Sequence, residues 1–128
     1  MKNQRVLIVD NSIDVRQLVK EVLEQAGAQV ILSSDWREAM FMLKFAQPDL
    51  VIMDIMMSTD EGFKFLEYIA SQRNWLFSRT LVLTAMQYDH KTIAALERLQ
   101  VNYMFKPFEV SHLLSKCCCM MDDPTVAA

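Results

Sequence analysis

Short apolar runs alternate with amphipathic helical patterns five times along this 128-residue chain, and this alternation constrains the fold more than any other feature. Because the runs lack polar alternation, they suit strands that are buried on both faces. Five βα units in succession predict an α/β protein with a parallel sheet covered by helices on both sides. The runs lie at residues 6–9, 30–32, 50–53, 80–83 and 101–105.

Capping signals place the ends of the predicted helices. Ser12 and Asp35 stand where N-cap residues are expected, and Gly27 follows the first helical pattern at the position that favours a C′ glycine. The helices are predicted near residues 15–26, 35–46, 61–73, 89–99 and 110–121. The third is expected to bury Phe63, Leu66, Ile69 and Ala70, and the fifth Val110, Leu113, Leu114, Cys117 and Met121.

Composition excludes several classes of protein. The formal net charge of −3, without clustered Lys and Arg, argues against a nucleic-acid surface. No apolar run approaches the roughly 18–20 residues that a membrane span requires. The consecutive cysteines 117–119 form neither a disulfide framework nor a spaced zinc site, so a cytoplasmic location is expected. Residues 1–121 are expected to form one domain, and residues 122–128 a C-terminal tail or the start of a linker.

Polar residues stand where four of the predicted strands end. They are Asp10 with Asn11, Asp54, Thr84 and Lys106. In open α/β sheets ligands bind outside the carboxyl ends of the strands, so these side chains are expected to converge. Carboxylate and amide oxygens suit magnesium, which keeps several of its waters. A carboxylate beside a metal and a lysine can attack phosphorus, because both cations neutralise charge on the transferring group.

This pattern resembles the receiver domain of bacterial two-component response regulators over residues 6 to 107. The resemblance implies a flavodoxin-like (βα)5 three-layer sandwich whose five parallel strands take the order 2-1-3-4-5. It is carried by Leu7-Ile8-Val9-Asp10, by Asp54, by Gly62, by Leu83-Thr84-Ala85 and by Lys106-Pro107-Phe108.

The resemblance implies that Asp54 accepts a phosphoryl group from the phosphohistidine of a sensor histidine kinase or phosphotransfer protein. It also implies a Mg²⁺ cofactor, held by Asp10, Asn11, Asp54 and the backbone carbonyl of Met56. Asn11 departs from the family pattern, which usually has a second acidic residue here. Because asparagine offers an oxygen without a charge, the metal site is expected to work with a weaker affinity.

Other residues are assigned to switching by the same resemblance. Thr84 would bind a phosphoryl oxygen, and Lys106 would pair with the carboxylate and then with the phosphoryl group. The peptide bond from Lys106 to Pro107 is expected to be cis. Tyr103 occupies the position of the aromatic residue whose rotation reports activation. An output partner, or a second copy in a homodimer, would bind the face formed by helix four, strand five and helix five.

Further departures from the family concern the loops. Ser58 and Glu61 replace the more usual proline and aspartate, and they are expected to loosen the loop before the third helix. Trp36 replaces a common glycine and is expected on the outer turn before the second helix. Met56 and Met86 offer no acid, base or amide to position water, so a phosphorylated state is expected to be comparatively long-lived.

The sequence thus favours a regulatory switch that is not an enzyme. A pseudo-receiver, which binds partners without phosphotransfer, is the alternative, and Asn11 lends it some support. An aspartate-nucleophile phosphatase is disfavoured, because Ser12 and not an acidic residue stands two positions after Asp10. A nucleotide site is disfavoured because no glycine-rich loop follows the first strand.

Overall fold

A computed structural model describes residues 1–85 and 89–121 of the chain. Within these residues five strands form one parallel sheet in the order β2-β1-β3-β4-β5, which confirms the predicted topology. The strands are β1 (Arg5–Val9), β2 (Gln29–Ser33), β3 (Leu50–Asp54), β4 (Thr80–Thr84) and β5 (Asn102–Phe105).

Helices follow the strands as the sequence predicts, with two short additions. A 3₁₀ turn, Ile55–Met57, follows β3, and a one-turn helix, Asn74–Phe77, follows the third long helix. In the described part of the chain, no helix is both long and apolar enough to span a membrane. The long helices are α1 (Ile13–Gln25), α2 (Trp36–Phe45), α3 (Thr59–Gln72), α4 (His90–Leu99) and α5 (Val110–Met121).

Side-chain caps fix where these helices begin. The Ser12 hydroxyl accepts a hydrogen bond from the Val15 N–H, and the Asp35 carboxylate accepts one from Glu38. Gly27 has φ +98° just beyond the C-cap of α1, the left-handed conformation that favours glycine. The Ser58 hydroxyl is the N-cap of α3 and accepts a hydrogen bond from the Glu61 N–H, so both residues take part in the start of this helix; the looser loop stays a prediction.

The sheet separates two layers of buried side chains, as a three-layer sandwich requires. Alternate strand residues point to opposite faces, so Val51 and Val82 pack with α2, α3 and α4, whereas Ile8 and Ile52 pack with α1 and α5. Helix residues in the first layer include Leu43, Phe65 and Leu96, and those in the second include Val19, Leu23 and Leu113.

The predicted buried faces of α3 and α5 need small corrections. Phe65 is fully buried, whereas Phe63 and Ala70 are only half-buried. The reason is that Phe65, Leu66 and Ile69 form the stripe at i, i+1 and i+4 that faces the sheet. On α5 the stripe runs through Leu113, Cys117 and Met120, which leaves Leu114 and Met121 half-buried and Val110 exposed.

The triplet of cysteines divides between core and surface. Cys117 is buried and Cys119 is exposed, as the helical spacing predicts. Burial raises the pKa of the Cys117 thiol to about 12, so this thiol stays protonated at neutral pH.

The expectation that Trp36 lies on an outer turn is wrong. Trp36 is the first residue of α2 and is 8% exposed, with its ring centroid 5.4 Å from that of Phe65. The side chain fits because Gly62, in the first turn of α3, leaves room beside it. A Cβ at Gly62 would lie 2.5 Å from Ile55 Cδ1 and 3.3 Å from Trp36 Cζ2.

We predict that Gly62→Ala destabilises the protein by about 1 kcal/mol. Overpacking a closed core site costs about 1–3 kcal/mol, and alanine returns about 1 kcal/mol of helix propensity. The free energy of urea unfolding measures the difference. Glu67→Ala, at an exposed position on the same helix, is the control and should stay within about 0.5 kcal/mol of the wild type. A Gly62→Ala protein more stable than the wild type would contradict this packing.

Candidate functional site

Strand alternation brings three charged side chains to the same side of the sheet edge. Asp10 continues the alternation of Ile8, and Asp54 that of Ile52, into the layer that packs with α1 and α5. Lys106 stands two residues after Met104, which belongs to the same layer. The parallel strands end at a common edge, so these three side chains meet although they are far apart in sequence.

Lys106 joins the two carboxylates. Its Nζ lies 2.8 Å from Asp10 Oδ2 and 3.3 Å from Asp54 Oδ2. Asp10 is 1% exposed and Asp54 is 7% exposed, so both charges depend on protein partners for much of their solvation. Two carboxylates and one ammonium leave this cluster with a net charge of −1, which favours a further cation.

The second oxygen of each carboxylate is held by the backbone. Asp10 Oδ1 accepts a hydrogen bond from the Ser12 N–H at 2.8 Å, and Asp54 Oδ1 accepts one from the Met56 N–H at 2.9 Å. In both cases the donor lies two residues further along the chain, as in an Asx turn. Backbone donors therefore hold one oxygen of each carboxylate while Lys106 holds the other, and sequence reasoning did not anticipate the backbone pairing.

The other predicted site residues lie around this cluster. Thr84 is fully buried at the end of β4, and its carbonyl accepts a hydrogen bond from the Lys106 N–H at 2.9 Å. The Lys106–Pro107 peptide bond is cis.

Asn11 is exposed directly after Asp10, and Met56 is 43% exposed two residues after Asp54. Met86 lies outside the described residues.

Tyr103 lies on β5 beside α4. Its hydroxyl donates a hydrogen bond to Glu97 Oε1 at 2.9 Å, and its ring meets Phe105 edge-on at 5.8 Å. The hydrogen bond to Glu97 is the main cause that raises the pKa of Tyr103 above its ordinary value of 10. Sequence reasoning missed Glu97. It stands six residues before Tyr103, and this spacing alone does not show that the last turn of α4 lies beside β5.

The donor set fits magnesium better than a metal that needs a complete protein cage. Among residues 1–85 and 89–121, no group of three or more His, Cys, Asp or Glu side chains could hold a metal ion. Asp10 and Asp54 supply two converging carboxylates, and Asn11 and Met56 follow them at one and two residues along the chain. Magnesium binds in this way, through one or two carboxylates with waters and phosphate oxygens completing its shell.

This fold and site define a receiver. The family model of the response regulator receiver domain matches residues 6–117, and the chain belongs to this family. The chain is 31% identical over 106 residues to the alkaline phosphatase synthesis transcriptional regulatory protein PhoP of Bacillus subtilis. It is 27% identical over 113 residues to the phosphate regulon transcriptional regulatory protein PhoB of Escherichia coli.

The matches cover most of this chain but less than half of each regulator. The matches take in 83% and 88% of this chain but only 43% and 49% of the two regulators, so the chain spans less than half of their length. Among solved structures, the chemotaxis response regulator CheY4 of Vibrio cholerae superposes with a TM-score of 0.80 at 29% identity, over 93% of this chain and 99% of that one. A CheY-like receiver protein from Methanospirillum hungatei shares the fold with a TM-score of 0.87 at 21% identity, over 99% and 100% of the two chains.

We predict that Lys106→Met lowers the free energy of unfolding by about 1–3 kcal/mol at pH 7 without divalent cations. The substitution leaves two buried carboxylates without the ammonium that lies between them. In an Asp54→Asn background the same substitution should cost less, since one carboxylate charge is gone. Lys91→Met, at an exposed position on α4, is the control. Equal unfolding midpoints for Lys106→Met and the wild type would contradict this role of Lys106.

Proposed function

We propose that this domain is a phosphorelay switch that accepts a phosphoryl group on Asp54. The observation that carries the proposal is the difference between the two carboxylates that share Lys106. Asp54 lies 0.5 Å further from Lys106 Nζ than Asp10 does (3.3 against 2.8 Å), and its side chain is more exposed, 10% against 1%. Asp54 is therefore the less tightly paired and more accessible nucleophile of the two.

The transfer needs a phosphohistidine donor on a sensor histidine kinase or a phosphotransfer protein. A carboxylate oxygen of Asp54 attacks phosphorus, the new P–O bond forms as the P–N bond breaks, and the imidazole leaves and takes a proton. Lys106 Nζ, already beside Asp54 Oδ2, neutralises charge on the phosphoryl oxygens as they arrive. The Met56 N–H holds Asp54 Oδ1, which keeps the nucleophile oriented.

Asp10, Asn11, Asp54 and the backbone carbonyl of Met56 would hold Mg²⁺. When bound, the ion supplies further positive charge for the phosphoryl oxygens. Met56 is 43% exposed beside the acceptor and carries no group that could activate water, which supports a comparatively long-lived phosphorylated state.

The output is a change in partner binding and not the turnover of a substrate. Thr84 would bind a phosphoryl oxygen, and Tyr103 would move in response. The α4-β5-α5 face would then bind an output partner or a second copy of the chain. A groove in this face gives such a partner aromatic and charged contacts, and it is lined by Tyr103, Phe105, Phe108, Glu109, His112 and Lys116.

Because the described cysteines are free, the cytoplasm is the fitting location.

A pseudo-receiver without phosphotransfer is the second candidate. The exposed, uncharged Asn11 favours it, because the metal site loses one carboxylate. The paired arrangement of Asp10, Asp54 and Lys106 favours the phosphorelay instead, since a scaffold would not need two buried carboxylates around one lysine.

Incubation with a small phosphodonor and Mg²⁺, followed by intact-mass measurement, separates the two candidates. The wild type should gain the mass of one phosphoryl group, and Asp54→Asn should gain none. Asp60→Asn, at an exposed position in the first turn of α3, is the matched control and should be phosphorylated like the wild type. A wild type that gains no mass would favour the pseudo-receiver.

We predict that Asn11→Asp tightens Mg²⁺ binding about 5- to 30-fold, which corresponds to about 1–2 kcal/mol of added charge attraction near a protein surface. Calorimetric titration with Mg²⁺ at low ionic strength measures the change. Asn3→Asp makes the same chemical change before the amino end of β1, at the opposite edge of the sheet, and should leave the affinity unaltered. Equal Mg²⁺ affinity of Asn11→Asp and the wild type would show that Asn11 does not take part in the metal site.

A further inference from the structure

Glu97 occupies a position on α4 that its own helix does not favour. It lies in the last turn of α4, which ends at Leu99, and it is exposed. The carbonyl end of a helix carries a partial negative charge, so a carboxylate in this turn is unfavourable by a few tenths of a kcal/mol. Its partner is the Tyr103 hydroxyl, whose hydrogen bond to Glu97 Oε1 is 2.9 Å long.

The connection between α4 and β5 is a two-residue turn, which brings Glu97 and Tyr103 together. Gln100 adopts the left-handed conformation at the C-cap of α4, with φ 59° and ψ 32°, and its N–H donates to the Glu97 carbonyl. Val101, the residue before β5, is buried at 5% exposure, so only Gln100 and Val101 separate the end of α4 from the start of β5. Glu97 and Tyr103 therefore face each other across a tight turn.

Tyr103 is also placed to respond to the site. In the parallel ladder Tyr103 pairs with Val82, and Phe105 pairs with Thr84. Alternation puts Val82, Thr84, Tyr103 and Phe105 on the face of the sheet that packs with α4. A movement of Thr84 would change the space beside the two aromatic rings, which already contact each other edge-on.

We propose that Glu97 is a latch on Tyr103: by accepting the hydrogen bond of its hydroxyl, Glu97 holds the ring at the α4–β5 surface and stabilises the unphosphorylated state. The proposal rests on the proposed function, because it assigns a regulatory residue to that same switch. Phosphorylation of Asp54 must break this bond before Tyr103 can move. Glu97 touches no reacting atom, so it is a positioning residue that acts through Tyr103.

Linkage gives the expected direction of the effect. If the bond exists only in the unphosphorylated state, removing it shifts the population toward the activated state and raises the affinity for a phosphoryl mimic by the same factor. The loss of one partly exposed hydrogen bond to a charged acceptor corresponds to a change of about three- to tenfold.

The test is a double-mutant cycle with beryllium fluoride and Mg²⁺ as the phosphoryl mimic, read by calorimetry. Glu97→Ala should bind the mimic about three- to tenfold more tightly than the wild type, and Glu97→Gln should lie between them, because the amide keeps an acceptor without the charge. In a Tyr103→Phe background, Glu97→Ala should change nothing. Glu67→Ala, which removes an exposed carboxylate from α3, is the control for charge alone and should bind like the wild type.

A second readout tests the bond itself. The pH titration of the Tyr103 ring carbon, assigned by its loss in Tyr103→Phe, should shift to lower pH in Glu97→Ala. Two results would overturn the latch: an unchanged titration of Tyr103, or an effect of Glu97→Ala on mimic binding that is equally large with and without the Tyr103→Phe substitution. Both differ from failure of the proposed function, in which the wild type itself would not bind the mimic.

Discussion

The ion pair of Lys106 with two buried carboxylates is the interaction on which the functional edge of this domain depends. Asp10, Asp54 and Lys106 come from the ends of β1, β3 and β5, and the sheet order places β1 beside β3 but separates β3 from β5 by β4. Lys106 therefore reaches across the end of β4, and its own N–H is held by the Thr84 carbonyl there. A change of charge at Asp54 would act on all four strand ends through this one side chain.

In the proposed switch, the sheet separates the side chains of the phosphoryl site from those of the response. The charged cluster continues the alternation of the layer that packs with α1 and α5, whereas Thr84 and Tyr103 continue that of the layer that packs with α4. The link between the layers runs through the paired ends of β4 and β5, where Thr84 lies opposite Phe105. Because both layers are close-packed, a small displacement of one side chain in such a switch would force its neighbours to move as well.

Much of this could be predicted from the sequence, because strand burial and strand ends leave strong local signals. The apolar runs predicted the positions of the five strands. The polar residues at the ends of these runs, Asp10, Asp54, Thr84 and Lys106, were the candidates for the site. What could not be predicted depends on packing between distant segments. Trp36 is buried where Gly62 leaves room beside it, and Glu97 meets Tyr103 across the tight turn at Gln100.

The central claim is that Asp54, and not its buried neighbour Asp10, carries the phosphoryl group. Borohydride reduction converts an aspartyl phosphate to homoserine, so peptide mapping after treatment with a small phosphodonor and Mg²⁺ identifies the modified position. Homoserine at position 54 alone is the result that the account predicts. Homoserine at position 10, or at neither position, would contradict it.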